Sequence, residues 1–396
     1  MNSKNALSEI DWSFSHFSNT GIHSVHWYPA TYISAIPGTL IPALAPKGST
    51  VLDPFTGSGT TGLESLRLGN NFIGIDTNPV AILIAESKLF HPEPKKFKAI
   101  IGQVIDEAHI KLSTNDIPAH HQEEELKKWY HPDTVTELNI LLQEILKIEN
   151  KDYRRCTLSV FSSILKSTSS QGKHWGWVCD NVRPKPDEIV YKNAITTFFT
   201  AGKDFIDAAE ASFTTIKYFN SDINRSTVRK NATLRQGDCV IQMKKLAGES
   251  VDLIMTSPPY YGVADYIKSQ RLTYLWFDTD ELSSHKLGFR HFEQLRAQEK
   301  GSRSHRHRSN SRQQYMNFIS NMFTESYRVL KPNAYMSLIV GESSAREATT
   351  EALISAANQA GFQLELRKDR NIRANKRRLM AKVKGEDVLI FKKALA

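Results

Sequence analysis

The chain has 396 residues, 40% hydrophobic and 23% charged, with 51 Lys and Arg against 42 Asp and Glu, for a formal net charge of +9. That length and balance suit a soluble globular protein with a large core, as one big domain plus an insertion or as two domains, and speak against a disordered or fibrous chain. The excess of positive charge points to a polyanionic partner, though net charge governs association and not fold.

Membrane and disulfide readings are disfavoured early. The most apolar early stretch, Tyr32 to Ala45, is broken by Pro37, Gly38 and Pro42, far short of the roughly 18 to 20 residues that span a bilayer. The N-terminal residues carry no charged-then-apolar signal pattern, so a cytoplasmic setting is expected. Cys156, Cys179 and Cys239 form no C-x-x-C pair, so neither a disulfide frame nor a metal site is expected.

In chain order, HWYPATYI leads into an apolar run that reads as a short helix from Ala30, started near Pro29. Val51 to Phe55 reads as a strand, Thr60 to Leu68 as a helix ended by Gly69, Asn71 to Asp76 as a second strand and Pro79 to Leu89 as a second helix. This β-α-β-α alternation predicts a parallel sheet covered by helices. From His91 to Arg229 helical periodicity dominates, as in Glu123 to Ile148 and Tyr191 to Ala211, which predicts an inserted, mainly helical domain. Trp175 and Trp177, in a loop-like stretch within it, read as packing residues. Strands resume at Ala232 to Asp238, Val251 to Ser257 and Ala334 to Gly341, with helices before and after the last. Phe362 to Arg367 and Asp387 to Lys392 read as a closing antiparallel pair. The expected division is therefore 1–90, 91–229 and 230–396. Lys300 to Arg312, with no apolar residue, reads as a mobile loop.

DPFTGSGTTG (Asp53 to Gly62) places Gly57, Gly59 and Gly62 at the spacing of a tight strand-to-helix turn that lets a ligand approach the backbone. Asp76 ends the next strand, where a carboxylate can accept hydrogen bonds from both hydroxyls of a ribose. Asp53 precedes the turn, where it would meet an amino acid's ammonium group and repel a pyrophosphate. That favours S-adenosylmethionine over NAD. Asp238 ends another strand at the same edge and can accept from an adenine amine, or stand as a solvated turn residue. Phe55 can cover the ligand or belong to the core, and Cys239 reads as a packed thiol.

TSPPYY (Thr256 to Tyr261) follows the apolar strand VDLIM, at the end where doubly wound folds place ligands. Pro258 and Pro259 fix φ and remove two backbone donors, leaving the Ser257 hydroxyl and nearby carbonyls as acceptors. An amine held there donates both hydrogens and turns its lone pair toward a methyl donor, while Tyr260 can stack on the base.

With these motifs in hand, the chain resembles the S-adenosylmethionine-dependent DNA amino-methyltransferases, which make N4-methylcytosine or N6-methyladenine. DPFTGSGTT is similar to that family's cofactor motif and TSPPY to its catalytic motif. HWYPATYI, with Tyr28 and Thr31, is similar to the segment near the methionine end of the cofactor, and IGIDTNP and GDC to its ribose and adenine contacts. The resemblance implies a Rossmann-like fold with a seven-stranded, mostly parallel sheet whose last strand is reversed. It implies cofactor contacts from Tyr28, Thr31, Asp53, Pro54, Phe55, Gly57, Gly59, Thr60, Asp76, Asp238 and Cys239, and catalysis by Ser257, Pro258, Pro259 and Tyr260. Serine in place of aspartate at 257 leans toward cytosine N4. Target recognition would fall to the insertion, or to Asp278 to Arg312 over the catalytic turn.

The expected partner is double-stranded DNA with a flipped target base, beside a possible restriction or defence partner. Lys300, Arg303, Arg306, Arg308 and Arg312 form one candidate phosphate-binding cluster, and Arg370, Arg373, Lys376, Arg377 and Arg378 another; either can also be a solvated face. An RNA amino-methyltransferase, or a nucleic-acid-binding protein that keeps the fold without turnover, stays open as an alternative.

Overall fold

The computed structural model describes residues 7, 10–14, 17–171, 183–343, 349–370 and 383–394. Trp175, Trp177 and Cys179, and Arg373, Lys376, Arg377 and Arg378 of the second basic cluster, lie outside them.

Seven strands make one sheet: β1 (Thr50–Asp53), β2 (Asn71–Asp76), β3 (Ala232–Gln236), β4 (Val251–Thr256), β5 (Leu330–Ser343), β6 (Phe362–Arg370) and β7 (Val383–Lys393). Their spatial order is β3-β2-β1-β4-β5-β7-β6. The first five run parallel, and β7 lies antiparallel between β5 and β6. This is the Rossmann-like class with the reversed strand. Chain order reverses direction across the sheet between β1 and β4, so their carboxyl ends flank the crevice where such folds take ligands.

Residues alternate between faces, which is why the central strands read as unbroken apolar runs. Leu52 and Ile254 pack into a core on one face, beneath the helices Ser311–Val329 and Thr349–Gln359. Val51, Leu253 and Met255 pack on the other, beneath the helix Ala35–Leu44. That helix starts at Ala35 and not near Pro29. Ala30 sits at φ +55° in the left-handed region, and the chain reaches the helix through a non-helical segment that faces the site.

Among the described residues, the stretch between 91 and 229 is mainly helical, and its helices pack against both flanking parts of the chain. Phe97, Leu138, Phe161 and Phe198 share one apolar cluster with Leu63, Phe72 and Leu83 of the first half and Tyr274, Trp276 and Phe292 of the last. The stretch Glu123 to Ile148 divides into the helices Glu123–Leu126 and Pro132–Leu146. His131 before the proline is extended, at ψ 144°, and its ring accepts the Asp133 N–H to cap the second helix. A buried polar chain stitches the layers together: His26 Nε2 lies 3.0 Å from Ser162 Oγ, which lies 2.8 Å from Thr273 Oγ1. Burial lowers His26 to about 3, so its ring stays neutral there. Among the described residues, no helix is long and apolar enough to cross a membrane.

Candidate active site

The turn after β1 is held from within. Asp53 is 1% exposed; Oδ2 accepts from Thr61 Oγ1 at 2.5 Å, and Oδ1 from Thr256 Oγ1 at 2.5 Å and the Phe55 N–H at 3.0 Å. Burial pushes its carboxyl up to about 6 against those hydrogen bonds. Tyr32 adds its hydroxyl to Thr61. The expected ammonium contact finds no support in this position. Asp53 faces inward, joining the glycine turn to the tip of β4, and does not line the cavity described below.

Gly59 also faces inward. It sits at φ +85°, and a Cβ there would lie 3.1 Å from the Ala85 methyl on the helix Pro79–Phe90. Its lack of a side chain lets two helices approach, not a ligand. Gly57 donates its N–H to Asp76 Oδ2 at 2.9 Å, and Asn78 N–H donates to Oδ1 at 2.8 Å. Burial nevertheless pushes Asp76 up to about 6. Asn78, which the sequence reading did not single out, accepts from the Tyr274 hydroxyl at 2.9 Å and donates to the Tyr28 hydroxyl at 3.3 Å. Asp238 caps the helix Cys239–Met243 through Oδ1, which accepts from Val240 and Ile241 N–H. Burial drives the Cys239 thiol well above its ordinary range, as a packed thiol requires.

At the acceptor turn, Ser257 donates its hydroxyl proton to the Tyr260 hydroxyl at 3.2 Å, which keeps its lone pairs for an incoming donor. The Pro259 carbonyl accepts from the Tyr315 hydroxyl at 3.0 Å. Tyr260 does not offer a stacking face. It is 7% exposed and packs on Gly341 of β5, where a Cβ would come within 2.5 Å of its ring. Pro258 is buried beside it.

One solvent-open cavity gathers most of the predicted residues. Tyr28, Thr31, Pro54, Phe55, Gly57, Thr60, Asp76, Asp238 and Cys239 line it together with Ser257, Pro259 and Lys300. Asp53, Gly59, Pro258 and Tyr260 stand behind its walls, and Arg303, Arg306 and Arg308 lie outside it. The walls include Tyr266, Ile267, Gln298 and Glu299, which no sequence motif marked. The placement of Asp278 to Arg312 over the catalytic turn pointed to Gln298 and Glu299, and no reading pointed to Tyr266 and Ile267. Lys300 to Arg312 within that segment is tied down and is not the mobile loop its composition suggested. Gly262 N–H donates to the Gly301 carbonyl at 2.7 Å, Arg303 N–H to the Ala264 carbonyl at 3.1 Å and Ser304 N–H to Asp265 at 2.9 Å. Arg303 and Arg308 are exposed, while Arg370 of the other basic cluster is buried in an ion pair with Glu386. Among the described residues, no three His, Cys, Asp or Glu side chains are grouped to hold a metal ion.

A model of the N6_N4 DNA methylase family matches residues 2–87 and 251–393. Among curated proteins, the Type II methyltransferase M.BsoBI of Geobacillus stearothermophilus is 24% identical over 68% of this chain and 55% of its own length. M.MjaII of Methanocaldococcus jannaschii is 21% identical over 81% of this chain and 72% of its own. M.MvaI of Kocuria varians is 21% identical over 65% and 57%. The chain thus spans little more than half the length of two of these three relatives.

Proposed function

This chain belongs to the DNA methylase family, and on that footing we propose that it methylates an exocyclic amine of DNA with S-adenosylmethionine, cytosine N4 being favoured over adenine N6. The observation that carries this reading is the shared cavity, in which the glycine turn with Asp76 meets Ser257 and Pro259. The preference for cytosine rests on the serine at 257.

The cofactor suits the residues present. Ser58 Oγ, on the cavity wall, is buried without a hydrogen-bond partner among the described residues, an orphan that a ligand would satisfy. Asp76 would accept the ribose hydroxyls, Asp238 the adenine amine, and Tyr28 and Thr31 would flank the methionine end. When bound, S-adenosylmethionine supplies an electrophilic methyl group on a sulfonium centre.

The protein's part is alignment. Ser257 commits its own proton to Tyr260 and accepts a hydrogen from the target amine. A carbonyl of the rigid Pro-Pro turn accepts the other, so the nitrogen lone pair leaves the ring's conjugation and becomes nucleophilic. Tyr260 thereby acts as a positioning residue for Ser257. The target base must leave the duplex, at a cost of a few kcal/mol, and Lys300, Arg303, Arg306 and Arg308 would grip the distorted backbone.

The test is to incubate unmethylated DNA with the protein and methyl-labelled S-adenosylmethionine, digest to nucleosides and identify the product by mass. N4-methylcytosine is expected. N6-methyladenine would keep the reaction class and reverse the base preference, and no labelled nucleoside would overturn the reading.

A further inference from the structure

The two prolines of the acceptor turn contribute carbonyls and no N–H groups. Cytosine and adenine each carry, beside the amine, a ring nitrogen with a lone pair. In the cavity that lone pair needs a hydrogen-bond donor. Glu299 lines the same cavity as Ser257 and Pro259, and its carboxyl is clamped by backbone. Tyr266 N–H donates to Oε1 at 2.5 Å, and Ile267 N–H also bonds the carboxyl. These contacts engage its lone pairs, not an acid hydrogen. Its neighbours Gln298 and Lys300 are exposed and lack such a clamp.

We propose that Glu299 recognises the target base by donating its acid hydrogen to the ring nitrogen beside the amine. The assignment rests on the DNA-methylation reading above. It selects cytosine and adenine over thymine and guanine, whose corresponding ring nitrogen already carries a hydrogen. The residue's surroundings suit the role: burial pushes its carboxyl up to about 8, so it is mainly protonated at neutral pH. The ionisable groups around it do not reverse this. Asp265 raises it further, Arg296 on the preceding helix lowers it, and Tyr274 and the His305 ring, which bonds the Glu299 carbonyl, stand nearby with Lys300.

The experiment compares the full-length protein with Glu299→Gln and Glu299→Ala, using tritiated-methyl S-adenosylmethionine and DNA from a methylation-deficient host, between pH 6.5 and 9.5. For the wild type, kcat/KM should fall as pH rises through about 8, when the acid hydrogen is lost. Glu299→Gln keeps an N–H donor and should stay within a few-fold at pH 7 while losing that alkaline fall. Glu299→Ala should drop by about 10- to 100-fold, with S-adenosylmethionine affinity and melting temperature close to wild type. The proposal is overturned if Gln is as defective as Ala, which would indicate a proton acceptor, or if Ala matches the wild type at every pH. A wild-type protein that transfers no methyl group overturns the parent reading, and this assignment with it; active wild type with the wrong variant pattern overturns this assignment alone.

Discussion

The two turns that meet in the cavity are stabilised by opposite means. The glycine turn is braced by its own motif and the strand beside it: Asp53 accepts from Thr61 and from its own Phe55 N–H, and Asp76 accepts from Gly57. The proline turn leans on distant chain. Its carbonyl at Pro259 accepts from Tyr315, Tyr260 rests on Gly341, and the residues just after it bond to Gly301, Arg303 and Ser304. The first half of the site is braced largely within its own motif, with Thr256 of β4 added from afar, and the second is assembled only when the whole fold closes.

Substitutions at each turn should separate these modes. The largest effect is expected from Ser257→Ala, which removes the amine acceptor and should lower transfer by roughly 100-fold or more. S-adenosylmethionine affinity, measured by calorimetry, should stay within a few-fold; loss of both together would mean misfolding. Tyr260→Phe keeps the ring on Gly341 but removes the acceptor for the Ser257 proton, so a smaller fall of about tenfold is expected. On the other turn, Asp53→Ala strands two hydroxyls and an N–H in the core and should destabilise the fold by about 2–3 kcal/mol in denaturant titrations. Asp53→Asn sharpens the point. A residue that grips the cofactor's ammonium would lose affinity without losing stability, whereas the buried brace seen here loses stability first.

The same contrast explains what could be read in advance. β2 matched its predicted bounds because Asn71 to Asp76 is an apolar run ending in an acid and preceded by Gly69. β5 begins four residues before its apolar signal: Leu330 pairs with Val251, the register resumes only at Tyr335 opposite Leu253, and the irregular stretch between, with Lys331 and Asn333, gives no strand pattern. Asp53 was visible as a carboxylate, but its inward role was not, because Thr256 lies 203 residues away. Glu299 carries no periodic or motif signal at all. Its meaning comes from the backbone of Tyr266 and Ile267, 33 and 32 residues earlier. Gly62, by contrast, was legible as part of the glycine motif, and a Cβ there would press within 2.6 Å of the Phe72 ring.

A pH series tests the braced turn more gently. Asp53 and Asp76 both stand at about 6, above their ordinary range, because they are buried. The folded chain therefore holds these protons more tightly than the unfolded one. Their contribution to stability is full below about pH 4 and is lost as pH rises through 6. Cofactor binding should run the other way, since Asp76 accepts best when ionised. Affinity should rise about tenfold between pH 5 and 7, and Asp76→Asn should flatten that rise.

The smallest effects concern DNA. Among the described residues, Lys300, Arg303, Arg306 and Arg308 pair with no carboxylate, whereas Arg370 is buried against Glu386. A cation already neutralised inside the fold cannot release a counterion from DNA, and an exposed unpaired one can. Arg303→Ala and Arg308→Ala should each reduce the slope of log affinity against log salt by about 0.9, with a few-fold loss of binding in fluorescence anisotropy. Arg370→Ala should leave the slope unchanged and lower the melting temperature. If the slope instead responds to Arg370 and not to Arg303 or Arg308, the segment over the proline turn is not the phosphate-gripping surface, and the comparison between the two halves of the site has been drawn on the wrong side.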